Sequence, residues 1–254
     1  MTVRQVFYRL VSEGVIDKAE REYKGVVMRS LKVMRLDKTI PFGWIADNTR
    51  WMRKPDTYSS AEQMLREAAR FYRRSLWDNQ SVYVEVWCEK DALAGVLYEV
   101  TEEYDVPLMV NRGFGSLTFL YEAAQSITHE KKPAYIYYFG DHDPSGKDIV
   151  RDTEAKLRMF APDADIHFEC VAVTPEQIKA LDLPTRPTKR TDTRSKGFKS
   201  ESVELDAIPS KILRHLVRSR IEQHIDPYAL DVMKVAEDSE RNALIELAGS
   251  WRAA

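Results

Sequence analysis

The sequence predicts an α/β fold built on a mostly parallel four-stranded sheet. Four runs rich in β-branched and aromatic residues carry this reading: 82–88, 107–111, 134–139 and 166–173. Strands buried on both faces read as continuous apolar runs rather than as alternating ones. Helix-forming spans separate the four, and strands alternating with helices make βαβ units. Ahead of the first run the chain reads as helices with one short strand, a pattern that suits a winged-helix module.

Composition narrows the class. The chain has 254 residues, 44% hydrophobic and 31% charged, which fits a folded protein and not a disordered one. No apolar run reaches bilayer length and the N-terminus lacks a signal-type apolar core, so no membrane association and a cytoplasmic location are expected. Two widely spaced cysteines, Cys88 and Cys170, make neither a disulfide framework nor a zinc site. Charge is unevenly divided. Residues 1–76 hold 16 Lys/Arg against 9 Asp/Glu, and the rest hold 22 against 31. A basic part suited to phosphates precedes an acidic part suited to a cation.

The N-terminal module is expected over 1–60. Thr2 and Gln5 read as a capping box. Val3, Val6, Phe7, Leu10 and Val11 then form one helical stripe that ends at Gly14. On the same wheel Tyr8 points off that stripe, with Arg4 one turn before it and able to reach the same space. A second helix is expected from about Asp17 to Lys38, with Ala19, Tyr23, Val26, Val27, Leu31 and Met34 inward. Arg21, Lys24, Lys32 and Arg35 gather on another face as candidate DNA contacts. Residues 41–46 read as a short strand, and 47–54 as a basic loop bearing Arg50, Arg53 and Lys54. A connecting helix, Ala61 to about Trp77, fills an expected 61–80 segment.

The sheet is expected within 81–254, followed by closing helices near 210–224 and 229–248. Its third strand empties into Gly140-Asp141-His142-Asp143-Pro144. Asp141 and Asp143 can set two carboxylates on one hard cation, and oxygen-only donors favour magnesium over zinc. The same string also suits an Asx turn that starts a helix. Glu89 closes the first strand. Parallel strands deliver their carboxyl ends to one edge, where open α/β sheets bind ligands. Glu89, Asp141 and Asp143 together are an acidic set for metal-assisted phosphoryl chemistry, with one of them free to act as acid or base. Lys90 beside Glu89 can offset phosphate charge. The segment 183–200 carries Arg186, Lys189, Arg190, Arg194, Lys196 and Lys199 against Asp192 alone. It reads as a long loop, either DNA-contacting or merely solvated.

Taken together, Glu89-Lys90-Asp91-Ala92-Leu93, Gly113-Phe114-Gly115 and Asp141-His142-Asp143-Pro144-Ser145-Gly146 resemble a Toprim domain. Thr2-Val3-Arg4-Gln5-Val6-Phe7-Tyr8 and the Glu204–Ala207 segment extend the likeness. The chain resembles the topoisomerase VI A subunit and the related meiotic double-strand-break transesterase, in a compact, mini-A form. Gln5 stands where that family has an acid, Ser145 where it often has His, and Phe119 where relatives often have Arg.

The resemblance implies a CAP-like winged helix followed by a Rossmann-like Toprim domain. It implies Tyr8 as nucleophile, linked to a DNA 5′ end, with Arg4 on the phosphate and Glu89 and Lys90 assisting. It implies Mg2+, or Mn2+ in its place, on Glu89, Asp141 and Asp143. Double-stranded DNA would be cut by a homodimer, each site joining one protomer's tyrosine to its partner's metal, in a topoisomerase or recombination role. ATP would enter only through a separate GHKL-type B subunit. Two other readings stand beside this one: a Toprim nuclease with water as nucleophile, and a non-catalytic DNA-binding or recombination-accessory protein.

Overall fold

Four strands pair all-parallel in the order β2-β1-β3-β4: β1 (Tyr83–Cys88), β2 (Leu108–Val110), β3 (Ala134–Phe139) and β4 (Ile166–Ala172). The computed structural model describes residues 2–45, 55–187 and 201–251. These belong to two compact units, Met1–Thr49 with Val82–Ile221, and Arg50–Ser81 with Glu222–Ala254.

The first unit holds the sheet. Helices α4 (Asp91–Thr101), α5 (Leu117–Glu130) and α6 (Pro144–Phe160) connect its strands in βαβ fashion. Alternation along the strands sends Trp87, Ile136 and Tyr138 into one core with Leu120, Ala124, Ile127, Ile149 and Leu157 from α5 and α6. Burying side chains of this size, at about 25 cal/mol per Å² of apolar surface, is what holds the layers together. β4 leads into the short α7 (Pro175–Ala180), which opens with a Thr174/Gln177 capping box. α8 (Ser210–Glu222) closes the unit, burying Leu213, Val217 and Ile221 at helical spacing. Its outer arginines reach acids on other elements: Arg214 to Glu99, Arg218 to Glu103 and Arg220 to Glu169.

The N-terminal helices belong to this unit too. α1 (Val3–Ser12) starts with both bonds of the Thr2/Gln5 capping box. Gly95 on α4 leaves room for it, since a Cβ there would lie 2.5 Å from Gln5 Nε2. The second helix begins with a π-helical segment, Glu22–Met28, and continues as α2 (Arg29–Leu36). A π turn takes more residues than an α turn, so the inward register slips. Val27 is buried while Val26, expected beside it, is 45% exposed. The strand expected over 41–46 is instead a 3-10 turn, Phe42–Trp44. Pro41 and Gly43 favour a turn, Trp44 N–H donates to the Pro41 carbonyl, and among the described residues no strand pairs with the run. The described residues before β1 contain no β-strand.

The second unit pairs α3 (Ala61–Phe71) with α9 (Pro227–Trp251). The connecting helix is shorter than expected, ending at Phe71 rather than near Trp77. Acids on α9 account for this. Tyr72 OH and the Arg74 guanidinium bond Glu240, Arg74 N–H donates to Glu237, and Arg241 donates to the Tyr72 carbonyl. These partners hold Tyr72 at ψ 124°, outside helical geometry. No helix among the described residues is long and apolar enough to cross a membrane.

Candidate active site

Strand order builds the site. From β1 the chain passes outward to β2 on one side, and from β3 to β4 on the other. The crevice between the carboxyl ends of β1 and β3 is therefore the switch point of the sheet, where open α/β folds bind ligands. Cys88 pairs with Phe139 at the end of the ladder, and Glu89 N–H donates to the Phe139 carbonyl at 2.9 Å. Glu89 and Gly140-Asp141 consequently emerge side by side. Glu89 Oε2 accepts the Asp141 N–H at 3.1 Å. Gly140 makes room for this carboxylate, because a Cβ there would sit 2.8 Å from it and 2.6 Å from the Tyr138 ring.

Asp141 and Asp143 have different tasks. Asp143 is the N-cap of α6, accepting Gly146 N–H at 2.7 Å with Pro144 in the first turn, so the Asx-turn reading holds for this residue. Asp141 turns away from the helix. Its Oδ1 accepts Leu205 N–H at 2.7 Å and lies 3.1 Å from Lys90 Nζ. Among the described residues, no three His, Cys, Asp or Glu side chains are grouped to hold a metal ion. Each of the three expected carboxylates shares the edge, but each is engaged by a protein N–H or ammonium donor.

The charges of this edge act on one another. Burial, with the charges of Asp141 and Asp143, pushes the Glu89 carboxyl up to about 7. Burial raises Asp141 as well, against the pull of Lys90. Burial alone would lower Lys90, but Asp141, Asp206 and Glu204 outweigh it and the ammonium is held more firmly than usual. A carboxyl raised by neighbouring carboxylates is one that a divalent cation would ionise. All three carboxylates are oxygen donors, the type that magnesium takes.

Sequence reasoning missed Lys18, Glu204 and Asp206 as site residues. Lys18 Nζ pairs with Glu204 and, at 3.0 Å, with Asp206. Lys90 reaches the same two carboxylates at 3.2 and 3.4 Å. Arg186 pairs with Glu204 at 2.7 Å. Burial would raise Glu204, but Lys18 and Lys90 prevail and bring it down to about 2. Arg186 and Ser202 exchange both backbone bonds at 2.9 Å, and Val203 and His142 exchange theirs at 2.8 and 3.0 Å. The two ends of the basic segment are thus fixed beside Asp141. Lys189, Arg190, Arg194, Lys196 and Lys199 lie outside the described residues, as do Arg50, Arg53 and Lys54.

Tyr8 is half-buried on a cleft of about 480 Å³ between α1, α4 and the start of α8, also lined by Gln5, Gly95, Asp206 and Lys211. The cation over its ring is Lys18, 5.6 Å from the centroid. Arg4, expected there, lies over Tyr23 at 5.4 Å. Arg21, Lys24 and Lys32 are exposed, with Arg21 beside Glu22 and Lys24 beside Glu20. Arg35 departs from that face. Its guanidinium stacks on Phe42 at 4.5 Å and its Nε is buried without a partner. The Gly113–Gly115 loop borders a second cleft of about 320 Å³, where Arg112 pairs with Asp91 at 2.9 Å.

No family model matches this chain, and no curated protein matches it in sequence.

Proposed function

We propose that the protein is a magnesium-dependent DNA transesterase of the type IIB topoisomerase A-subunit kind. In this reading a Toprim domain works with an N-terminal module of winged-helix origin, and a homodimer cuts double-stranded DNA. The observation that carries it is the pairing of Glu89 and Asp141 across the β1/β3 switch point, with Asp143 and Lys90 beside them. Glu89, Asp141 and Asp143 would hold Mg2+ or Mn2+, which when bound supplies positive charge to the phosphoryl group and the leaving oxygen. Lys90 offsets phosphate charge. The Tyr8 oxygen forms a bond to phosphorus as the bond to the 3′ oxygen breaks. Glu89 carries the proton that the tyrosine loses and the 3′ oxygen gains. The DNA remains joined to Tyr8 through its 5′ phosphate. Arg4 would leave Tyr23 to hold the phosphate. A GHKL-type ATPase subunit would add strand passage to cleavage.

One observation favours a second reading. A carboxyl raised to about 7 is suited to drawing a proton from water, as a nuclease without a tyrosine nucleophile requires. Tyr8→Phe separates the two. With Mg2+ and 3′-labelled duplex followed by denaturation, the transesterase leaves label on wild-type protein and Tyr8→Phe cuts nothing. If Tyr8→Phe cuts as fast as wild type, water is the nucleophile. If neither cuts, with or without an ATPase partner, the accessory DNA-binding role replaces both.

A further inference from the structure

Glu204 and Asp206 gather three cations from three separate stretches of chain. Lys18 follows α1, Lys90 follows β1, and Arg186 stands at the foot of the basic segment. Lys18 and Asp206 are 188 residues apart in sequence, and the Asp206 side chain is only 8% exposed, so this is no incidental pairing along one helix. The carboxylates share one turn. They flank Leu205, which is fully buried, donates its N–H to Asp141, and begins the 3-10 turn Leu205–Ala207. Two ammonium groups therefore converge on this pair of anions and a guanidinium on Glu204, next to Asp141, with Lys18 also over the Tyr8 ring. The donors that grip a carboxylate in this way grip a phosphate equally well.

We propose that Lys18, Lys90 and Arg186 form a binding site for a phosphodiester of the DNA backbone, and that Glu204 and Asp206 fill it as an internal substitute anion in the free protein. The inference rests on the DNA-binding reading above and deepens it. DNA binds by displacing the two carboxylates. Lys18 ties the N-terminal helices to the 204–206 turn, so displacement also loosens α1 beside Tyr8. The carboxylate pair thereby keeps the tyrosine module closed on its own chain until a phosphate takes its place.

The test uses the full chain with Glu204→Gln and Asp206→Asn together. A control, Asp152→Asn with Glu154→Gln, makes the same change of net charge on α6. At fixed salt the double variant is expected to bind a short duplex on the order of tenfold tighter than wild type, with the control within about twofold. Amide exchange across α1 is expected to rise in the DNA-free double variant, and to rise in wild type when DNA is added. An affinity no higher than the control's, or α1 exchange unchanged in both comparisons, overturns the proposal. If no form binds duplex at any salt, the DNA reading is what fails, and inorganic phosphate decides the site. Thermal stabilisation by phosphate in the double variant alone supports it; equal response in all three forms overturns it.

Discussion

Glu85 is the most informative single carboxyl in the fold. It sits at the middle of β1, 1% exposed, and accepts hydrogen bonds from Tyr83 OH at 2.8 Å and Trp87 Nε1 at 2.7 Å. Both donors favour the ionised form, yet burial outweighs them and pushes the carboxyl from its ordinary 4.5 up to about 7. Below about pH 4.5 the folded and unfolded chains both carry the proton, and Glu85 costs nothing. Between there and pH 7 the unfolded chain has lost its proton and the folded chain keeps it. Stability therefore falls as pH rises, by up to about 1.4 kcal/mol per pH unit. Above pH 7 the full cost of about 3 kcal/mol is in place, and about 2.5 kcal/mol of it accrues between pH 5 and pH 8.

Glu85→Gln removes the titration and keeps the geometry. The amide oxygen accepts from Trp87, and the amide nitrogen donates to the Tyr83 oxygen. Any cost of the extra buried N–H is the same at both pH values and cancels. Urea unfolding followed by circular dichroism at pH 5 and pH 8 reads the outcome. Wild type should lose about 2–3 kcal/mol more than the variant over that interval. Glu89, also raised to about 7, contributes to both proteins, so the variant keeps part of the slope. Equal pH dependence in the two proteins would refute the assignment of a buried, proton-retaining Glu85.

Three further substitutions probe the scaffold of the site. Asp143→Ala should cost about 1 kcal/mol through the lost N-cap, and Asp143→Asn only a few tenths, in urea midpoints. Gly140→Ala forces a Cβ against Glu89 and Tyr138; a loss of about 1–3 kcal/mol is expected, together with weaker Mg2+ binding by calorimetry. Arg218→Ala gives up two bonds to Glu103 and one to Tyr104, and should lower stability by about 1 kcal/mol, with Arg218→Lys recovering only part.

What the sequence disclosed follows from which interactions were local. β3 runs Ala134–Phe139 as read, because a strand buried between two others needs an unbroken apolar run and ends where Gly140 and Asp141 break it. The Thr2/Gln5 capping box and the start of α6 at Asp143-Pro144 were legible for the same reason, since each is closed within four residues. The end of α3 was not legible, because Glu237 and Glu240 decide it from more than 160 residues away. Nor was the 3-10 turn at Phe42–Trp44, where the strand-forming residues are present but no partner strand lies among the described residues. The site divides along the same line. Glu89, Asp141 and Asp143 announce themselves at strand ends, where periodicity stops and acids begin. Lys18 looks like an ordinary surface charge, and Glu204 and Asp206 like part of a motif without a role, until the fold brings them to one point. Their burial then gives them meaning, since ammonium groups this enclosed must be matched by carboxylates or by a ligand of the same charge. The charge partners of a site are therefore its least legible part in sequence, and here they are the part that an incoming phosphate would have to rearrange.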